Sequence, residues 1–370
     1  MNQPISTYQK DRLSIGRRSF LKTAGLGALA LSFPFPDFPD YLKGVPMGIV
    51  VHSYGARWNS KVESKKYPGF QNALDLIHHC HSIGAGGVQV GVNNWTTDFA
   101  KQVRDTREKL GLYLEGSIGM PKTEGDISNF EKEILAAKEA GATILRTVCL
   151  SGRRYENFKT EAEWKTFKTN SLNSIRLAEP IVRKHKVKLA VENHKDWKAH
   201  ELADIIKNLS SEWVGVTLDF GNNYSLLEES DHVISTLAPY AFSTHIKDMG
   251  VKEYEKGFLL SEVPLGTGIV DLKAGVDLCR KHNPEINFSL EMITRDPLEI
   301  PCLEDKYWTT FDNSSPLDLA KILRVVKANE FSGELPSVSN LNPEQKLAFE
   351  EKNNLASLAY SKESLGISED

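Results

Sequence analysis

The sequence predicts an α/β fold: a closed (β/α)8 barrel over residues 47–329 with a C-terminal helical extension over 330–370. Two observations carry this. Short apolar or β-prone runs alternate with amphipathic stretches eight times between Met47 and Asn329, and such alternation implies a parallel sheet with helices outside it. Four successive runs in the second half each end on a residue able to bind a metal, and a barrel of this kind carries its site at the C-terminal ends of its strands. The rival, an open doubly wound sheet, needs a G-x-G-x-x-G opening a helix after the first strand, and none is present.

The elements follow in order. Gly48–Val51 (GIVV) is a strand, trailed by His52-Ser53-Tyr54-Gly55. Phe70–Ile83 places Ala73, Leu76, Ile77 and Cys80 at helical spacing. Gly87–Val90 is the second strand, and Thr97–Leu110 a helix with Asp98 near its cap. Tyr113–Glu115 is the third strand; Asp126–Ala140 is a helix that opens on acid and stops at Gly141. Ile144–Val148 is the fourth strand and Trp164–Lys184 a long helix. The fifth strand, Lys188–Glu192, is followed by a helix at Ala199–Leu209; the sixth, Val214–Asp219, by a short helix at Asp231–Leu237. The seventh, Ala241–His245, leads to a helix at Asp271–His282 ended by Asn283-Pro284. The eighth, Asn287–Glu291, leads to the last helix of the series, Pro316–Asn329. A polar segment, Ser332–Asn342, then precedes a helical stretch, Pro343–Tyr360, read as a surface-packed extension or a tail. Two long insertions, Lys247–Gly268 and Thr294–Ser315, leave the ligand-bearing face and are expected to wall or cover the site.

Composition sets limits. The chain has 370 residues, 40% hydrophobic and 25% charged, an ordinary globular balance with ample core. A net charge of −4 gives no global electrostatic reason to bind nucleic acid. Cys80, Cys149, Cys279 and Cys302 are spread widely without a C-x-x-C and read as unpaired. Residues 1–33 differ from the rest. Arg17-Arg18-Ser19-Phe20-Leu21-Lys22 precedes a short apolar run, Thr23–Phe33, too short to span a bilayer as an ordered helix. The segment closely resembles a twin-arginine export signal. That resemblance implies the twin-arginine translocation machinery as a partner, a periplasmic or exported location and no stable membrane anchor. Residues 34–46 are Pro-rich and read as an extended linker.

The chemistry rests on Glu192, Asp219, His245 and Glu291. Their spacings are 219−192 = 27, 245−219 = 26 and 291−245 = 46, close to or above one strand–helix unit of roughly 25–35 residues. Successive units thus aim one ligand each at a single point. A buried carboxylate in such a place must be paired, hydrogen-bonded or metal-bound to offset its desolvation. Two Glu, one Asp and one His make a hard, oxygen-rich set suited to Mn2+ first, with Mg2+, Co2+ or Zn2+ as alternatives.

The local words are Val191-Glu192-Asn193-His194, Leu218-Asp219-Phe220-Gly221-Asn222, Thr244-His245-Ile246-Lys247-Asp248 and Leu290-Glu291-Met292. At these residues the chain resembles the xylose isomerase-like TIM barrel superfamily, the sugar phosphate isomerases/epimerases, over about residues 47–329. The resemblance implies metal ligation by Glu192, Asp219, His245 and Glu291. In the epimerase branch it also implies that Glu192 and Glu291 move the proton on the sugar carbon. A divalent metal on the carbonyl and neighbouring hydroxyl then stabilises the enediolate, and carboxylates on opposite faces take and return the proton. Asn222 stands where that branch often has His.

Further candidates surround the four. His194, Asn222, Lys247, His52 and Arg295 are expected to bind substrate, with Gln89 near the end of the second strand. Lys247 is alternatively paired with Asp248, and Arg146 with Glu115 inside the barrel. Tyr307 and Trp308 are candidates, with Arg295, for a sugar-stacking rim. Leu265-Gly266-Thr267-Gly268 is a weak phosphate loop, and His78, His79 and His81 read as solvated surface. The expectation is a metal-dependent sugar isomerase or epimerase, with a homo-oligomer compatible. A 3-keto-glycoside lyase or hydrolase, or a sugar dehydratase, would use the same residues; a non-catalytic sugar-binding barrel is the reading from another class.

Overall fold

The computed structural model describes residues 45–58, 60–311 and 315–368. The export signal over 1–33 and nearly all of the 34–46 linker lie outside these residues. Eight parallel strands close into a barrel: β1 (Gly48–Val50), β2 (Gly87–Gly91), β3 (Tyr113–Ser117), β4 (Ile144–Thr147), β5 (Lys188–Glu192), β6 (Val214–Asp219), β7 (Ala241–Ile246) and, after an insertion, β10 (Asn287–Leu290). The ring order is β1-β10-β7-β6-β5-β4-β3-β2. The helices between them are α1 (Ala73–Ser82), α2 (Thr97–Lys109), α3 (Ile127–Glu139), the single turn α4 (Arg154–Asn157), α5 (Glu161–His185), α6 (Ala199–Leu209), α7 (Ser230–Leu237) and α8 (Leu272–His282).

Local chemistry sets the boundaries. Asn72 caps α1 and Thr96 caps α2, each accepting a backbone N–H of the first turn. In α5 the Thr160–Glu163 capping box starts the helix at Glu161, ahead of the expected Trp164. The inner stripe of α6 is Ala199, Leu202, Ala203 and Ile206, the i, i+3, i+4, i+7 pattern of a helix lying on a sheet.

The insertion after β7 is a hairpin, β8 (Asp248–Tyr254) and β9 (Gly257–Val263). With β11 (Leu298–Ile300) from the second insertion it forms a three-stranded antiparallel sheet, β11-β9-β8. Asp248 anchors it. Its carboxylate accepts N–H groups from Met249 and Val270 on Oδ1 and from Gly266 and Gly268 on Oδ2. The amides of the candidate phosphate loop are therefore taken by a side chain of the protein, and the expected Lys247–Asp248 pair does not form.

The ring is completed differently from the expected order. The helix α9 (Pro316–Ala328) packs on β8 and β9, whereas α10 (Pro343–Ser364) packs on β10 and on the turn Val51–Tyr54 after β1. Glu350 of α10 accepts the N–H groups of Ala56 and Arg57, Asn354 donates to the Ser53 carbonyl, and Glu351 pairs with Arg57 and His79. On the other flank Arg280 of α8 donates to the Gly366 carbonyl. Thus α10 takes the ring position between α8 and α1, and His79 is a buried-side partner while His78 and His81 stay exposed. Of the expected aromatic rim, Tyr307 is core and Trp308 is half-buried against it. Tyr307 is fully buried, donates to the Ser225 carbonyl at 2.8 Å and stacks on Phe311, and Trp308 donates to the Cys302 carbonyl.

Asn354 is fully buried. Asn354→Ala removes the donor to Ser53 and leaves that carbonyl dry, and is expected to cost about 1–3 kcal/mol. A lower urea midpoint at unchanged slope is the expected reading; an unchanged midpoint would show that this tie is dispensable.

Candidate metal centre

Asp219 and His245 are cross-strand partners in the β6–β7 register. Glu192 ends β5, and Glu291 follows β10 with its N–H on the Ile246 carbonyl. All four side chains are buried at the C-terminal mouth of the barrel. One ligand atom from each lies within 4.8 Å of every other. Ligands on opposite sides of one ion stand about 4–4.4 Å apart, so small movements bring all four onto a shared cation.

The donor set tests well against a divalent metal. His245 Nδ1 faces Glu192 and Glu291 at 3.5 Å and Asp219 at 3.9 Å, yet neither it nor Asp219 Oδ2 makes a hydrogen bond. Buried polar atoms are seldom left so. The other nitrogen, Nε2, is 2.8 Å from Gln89 Oε1. Gln89 is oriented by Glu115, which accepts its Nε2 at 3.0 Å and also accepts from Ser243 and Asn287. A carbonyl at Nε2 places the proton there and turns the Nδ1 lone pair toward the carboxylates, the arrangement of a metal-ligating histidine.

Arg146 does not pair with Glu115. In register it lies opposite Ser117, two residues further up β3, which carries it to the mouth. There its Nε and Nη2 clamp Glu192 Oε2 at 2.6 and 2.5 Å. Burial works to raise the Glu192 pKa, but Arg146 and then His245 outweigh it and hold the carboxyl well below its usual range. Asn222 Nδ2 donates to Glu192 Oε1 at 3.0 Å. Glu291 is likewise held on both oxygens, by His52 Nδ1 at 3.0 Å on Oε1 and by Lys247 Nζ at 2.5 Å on Oε2, with His52 about half exposed. Against the pull of burial, Lys247 and His245 also depress Glu291. Lys247 lies 2.9 Å from Asp219 Oδ2, outside hydrogen-bond geometry. Its path requires Gly221, where a Cβ would stand 2.6 Å from Met249 Sδ and 2.9 Å from Lys247 Cγ.

The expected substrate contacts divide. His52, Asn222 and Lys247 touch the carboxylates of the centre. His194 carries a buried Nδ1 with no partner, and burial followed by the Lys195 ammonium lowers its pKa to about 3. Arg295, partly exposed, makes a two-pronged pair with buried Glu262 at 3.1 and 2.5 Å. Gln89 supports His245 and is buried beneath it. Sequence reasoning missed Lys195. Its side chain is buried and its Nζ donates to Asn222 Oδ1. Burial, then Lys247 and Arg295, lower its pKa to about 8.

Residues 77–310 match the model of the xylose isomerase-like TIM barrel. The chain belongs to that family. Among relatives of this xylose isomerase-like barrel, 3-oxo-isoapionate decarboxylase of Pectobacterium atrosepticum is 23% identical over 272 residues, 71% of this chain and 92% of the decarboxylase. A D-psicose 3-epimerase solved in the presence of D-fructose superposes with a TM-score of 0.56 at 15% identity, over 87% of this chain and 99% of that one. The 3-keto-D-glucoside 4-epimerase of E. coli superposes with a TM-score of 0.50 at 14% identity, over 75% and 98%. These solved structures establish the shared xylose isomerase-like fold.

Gln89→Leu keeps the shape beneath His245 and removes the acceptor that sets its tautomer. Mn2+ affinity measured by titration calorimetry is expected to fall about 10–100-fold. Wild-type affinity in this variant would mean that Gln89 does not orient the ligand.

Proposed function

We propose that the protein is a metal-dependent sugar-transforming enzyme of the isomerase/epimerase type, acting by proton transfer next to a carbonyl. The observation that carries this is the clustering of His245 Nδ1 and Asp219 Oδ2, neither of which makes a hydrogen bond, beside two further buried carboxylates. Glu192, Asp219, His245 and Glu291 would hold the ion, with Mn2+ the first choice. A bound divalent ion supplies a Lewis acid that stabilises the charge developing on the carbonyl oxygen once the neighbouring proton is removed.

The side chains supply the rest. Asp219 is fixed by the N–H groups of Gly221 and Asn222 on Oδ1 at 2.8 and 2.7 Å and serves as an anchor, with His245. Glu192 is pinned on both oxygens by Arg146 and Asn222. Glu291, paired with the half-exposed His52 at the open side of the centre, is the base that takes the proton from one face of the carbon. Return from the opposite face, which epimerisation needs, falls to Glu192 only after it has taken up a proton from water, since Arg146 holds it ionised at rest. Lys247, beside Glu291, is placed to donate to a substrate oxygen as it gains charge. The names of the similar proteins, two epimerases and a decarboxylase of a 3-oxo compound, fit carbanion chemistry beside a carbonyl.

The test is incubation in D2O with Mn2+ and D-fructose, D-psicose or a 3-keto-glucoside, followed by NMR. Deuterium entering at the carbon beside the carbonyl, with an epimer or isomer formed, is the expected result. Release of the aglycone instead would assign a lyase, and tight binding without any exchange a sugar-binding protein. Glu291→Gln is expected to lower the exchange rate by about 10²–10⁴-fold while the protein still binds the ketose.

A further inference from the structure

Lys195 is the buried cation the proton-transfer scheme does not use. Three positive side chains crowd this wall of the mouth: Lys195, Lys247 and Arg295. Arg295 is matched by Glu262, and Lys247 by Asp219 and Glu291. Lys195 has no carboxylate partner among the described residues. Its ammonium donates instead to Asn222 Oδ1, the same oxygen that receives Lys247 at 3.3 Å. Two ammonium groups on one amide oxygen repel each other, and a buried charge without a counter-ion is costly. Beside Lys195, His194 leaves its buried Nδ1 unpartnered. Asn222 Nδ2 meanwhile holds Glu192, so the Lys195 ammonium stands one amide group away from the metal-ligand cluster.

We infer that Lys195 receives an anionic group of the substrate, and that the substrate is a keto-sugar acid whose carboxylate binds there while its carbonyl lies at the four ligands. The inference rests on the keto-sugar reading above and narrows it. A carboxylate suits this position better than a phosphate, because phosphate sites are commonly lined by several backbone N–H groups. The loop amides of Gly266 and Gly268 that offered such a cradle are occupied by Asp248. Lys195 is then a specificity-determining residue, selecting the acid over the neutral sugar.

The experiment is calorimetric binding to the Mn2+-loaded protein of three probes: D-fructuronate, D-fructose and D-fructose 6-phosphate. D-fructuronate is expected to bind at least about tenfold more tightly than D-fructose, as a charge-assisted hydrogen bond allows. Lys195→Met is expected to erase that ratio and Lys195→Arg to retain it. A purely structural role would weaken both sugars alike and leave the ratio standing, which overturns the inference. Lys195→Gln, with a polar head of similar length, repeats the test if the Met variant does not fold. Equal affinity for acid and neutral sugar in the wild type rejects the anion site alone. Preference for the phosphate rejects the carboxylate. Failure to bind any of the three removes the keto-sugar reading and this inference with it.

Discussion

Three carboxylates buried together at the end of a barrel cannot stand uncompensated, and much of the surrounding architecture answers that one electrostatic demand. In low dielectric their mutual repulsion adds to the cost of desolvation. Arg146 clamps Glu192 and Lys247 reaches both Asp219 and Glu291, while His245 Nδ1, facing all three without a hydrogen bond, leaves room for a further cation among them. Gly221 is the backbone concession that lets Lys247 through. Polar residues inside the barrel extend the same logic downward, since Glu115 and Gln89 exist in that core to turn one imidazole ring.

The layers added to the barrel serve the mouth as well. Asp248 gathers four backbone N–H groups and so fastens the β8–β9 hairpin beside the site. Glu262, on that hairpin, receives Arg295 from the other insertion. The hydrogen bonds of the Glu192–Trp197 loop complete the frame. Asn193 exchanges hydrogen bonds with the Asp219 backbone, and Asn223 joins Asn193 to Glu228. These contacts explain why Asn, Asp and Gly follow the ligand-bearing strands where apolar residues would pack more easily.

The clustering of the four candidate ligands was legible in the sequence because parallel strands of a barrel bring their C-terminal ends to one place whatever their stagger. Pairings that depend on the stagger were not. Arg146 and Glu115 both point inward, but β4 is shifted against β3 so that Arg146 meets Ser117 and then Glu192. Lys195 sits on an irregular loop, where no periodicity says which way a side chain turns. The ring position of α10 was hidden for a different reason. Its buried positions are Leu347, Glu350, Asn353, Asn354, Ser357 and Ser361, a face that is inward yet mostly polar. Hydrophobic patterning reads such a helix as surface, so the more apolar α9 was expected in a ring position that α10 takes instead. The polar face makes sense only once its partners, the backbone of Ser53, Ala56 and Arg57, are known.

That helix has a consequence for how the protein comes into being. The turn carrying His52 is made among the first of the described segments, and the helix that secures it is made last. On the ribosome all four candidate metal ligands have emerged before the seam between α8 and α1 can be covered. Growth of the chain and maturation of the site are therefore uncoupled, since long-range contacts of this kind form late and slowly. An incomplete polypeptide would hold the whole ligand set and still present an open flank to chaperones and proteases. Among the described elements α10 is thus the one whose docking closes the flank behind the turn that carries His52.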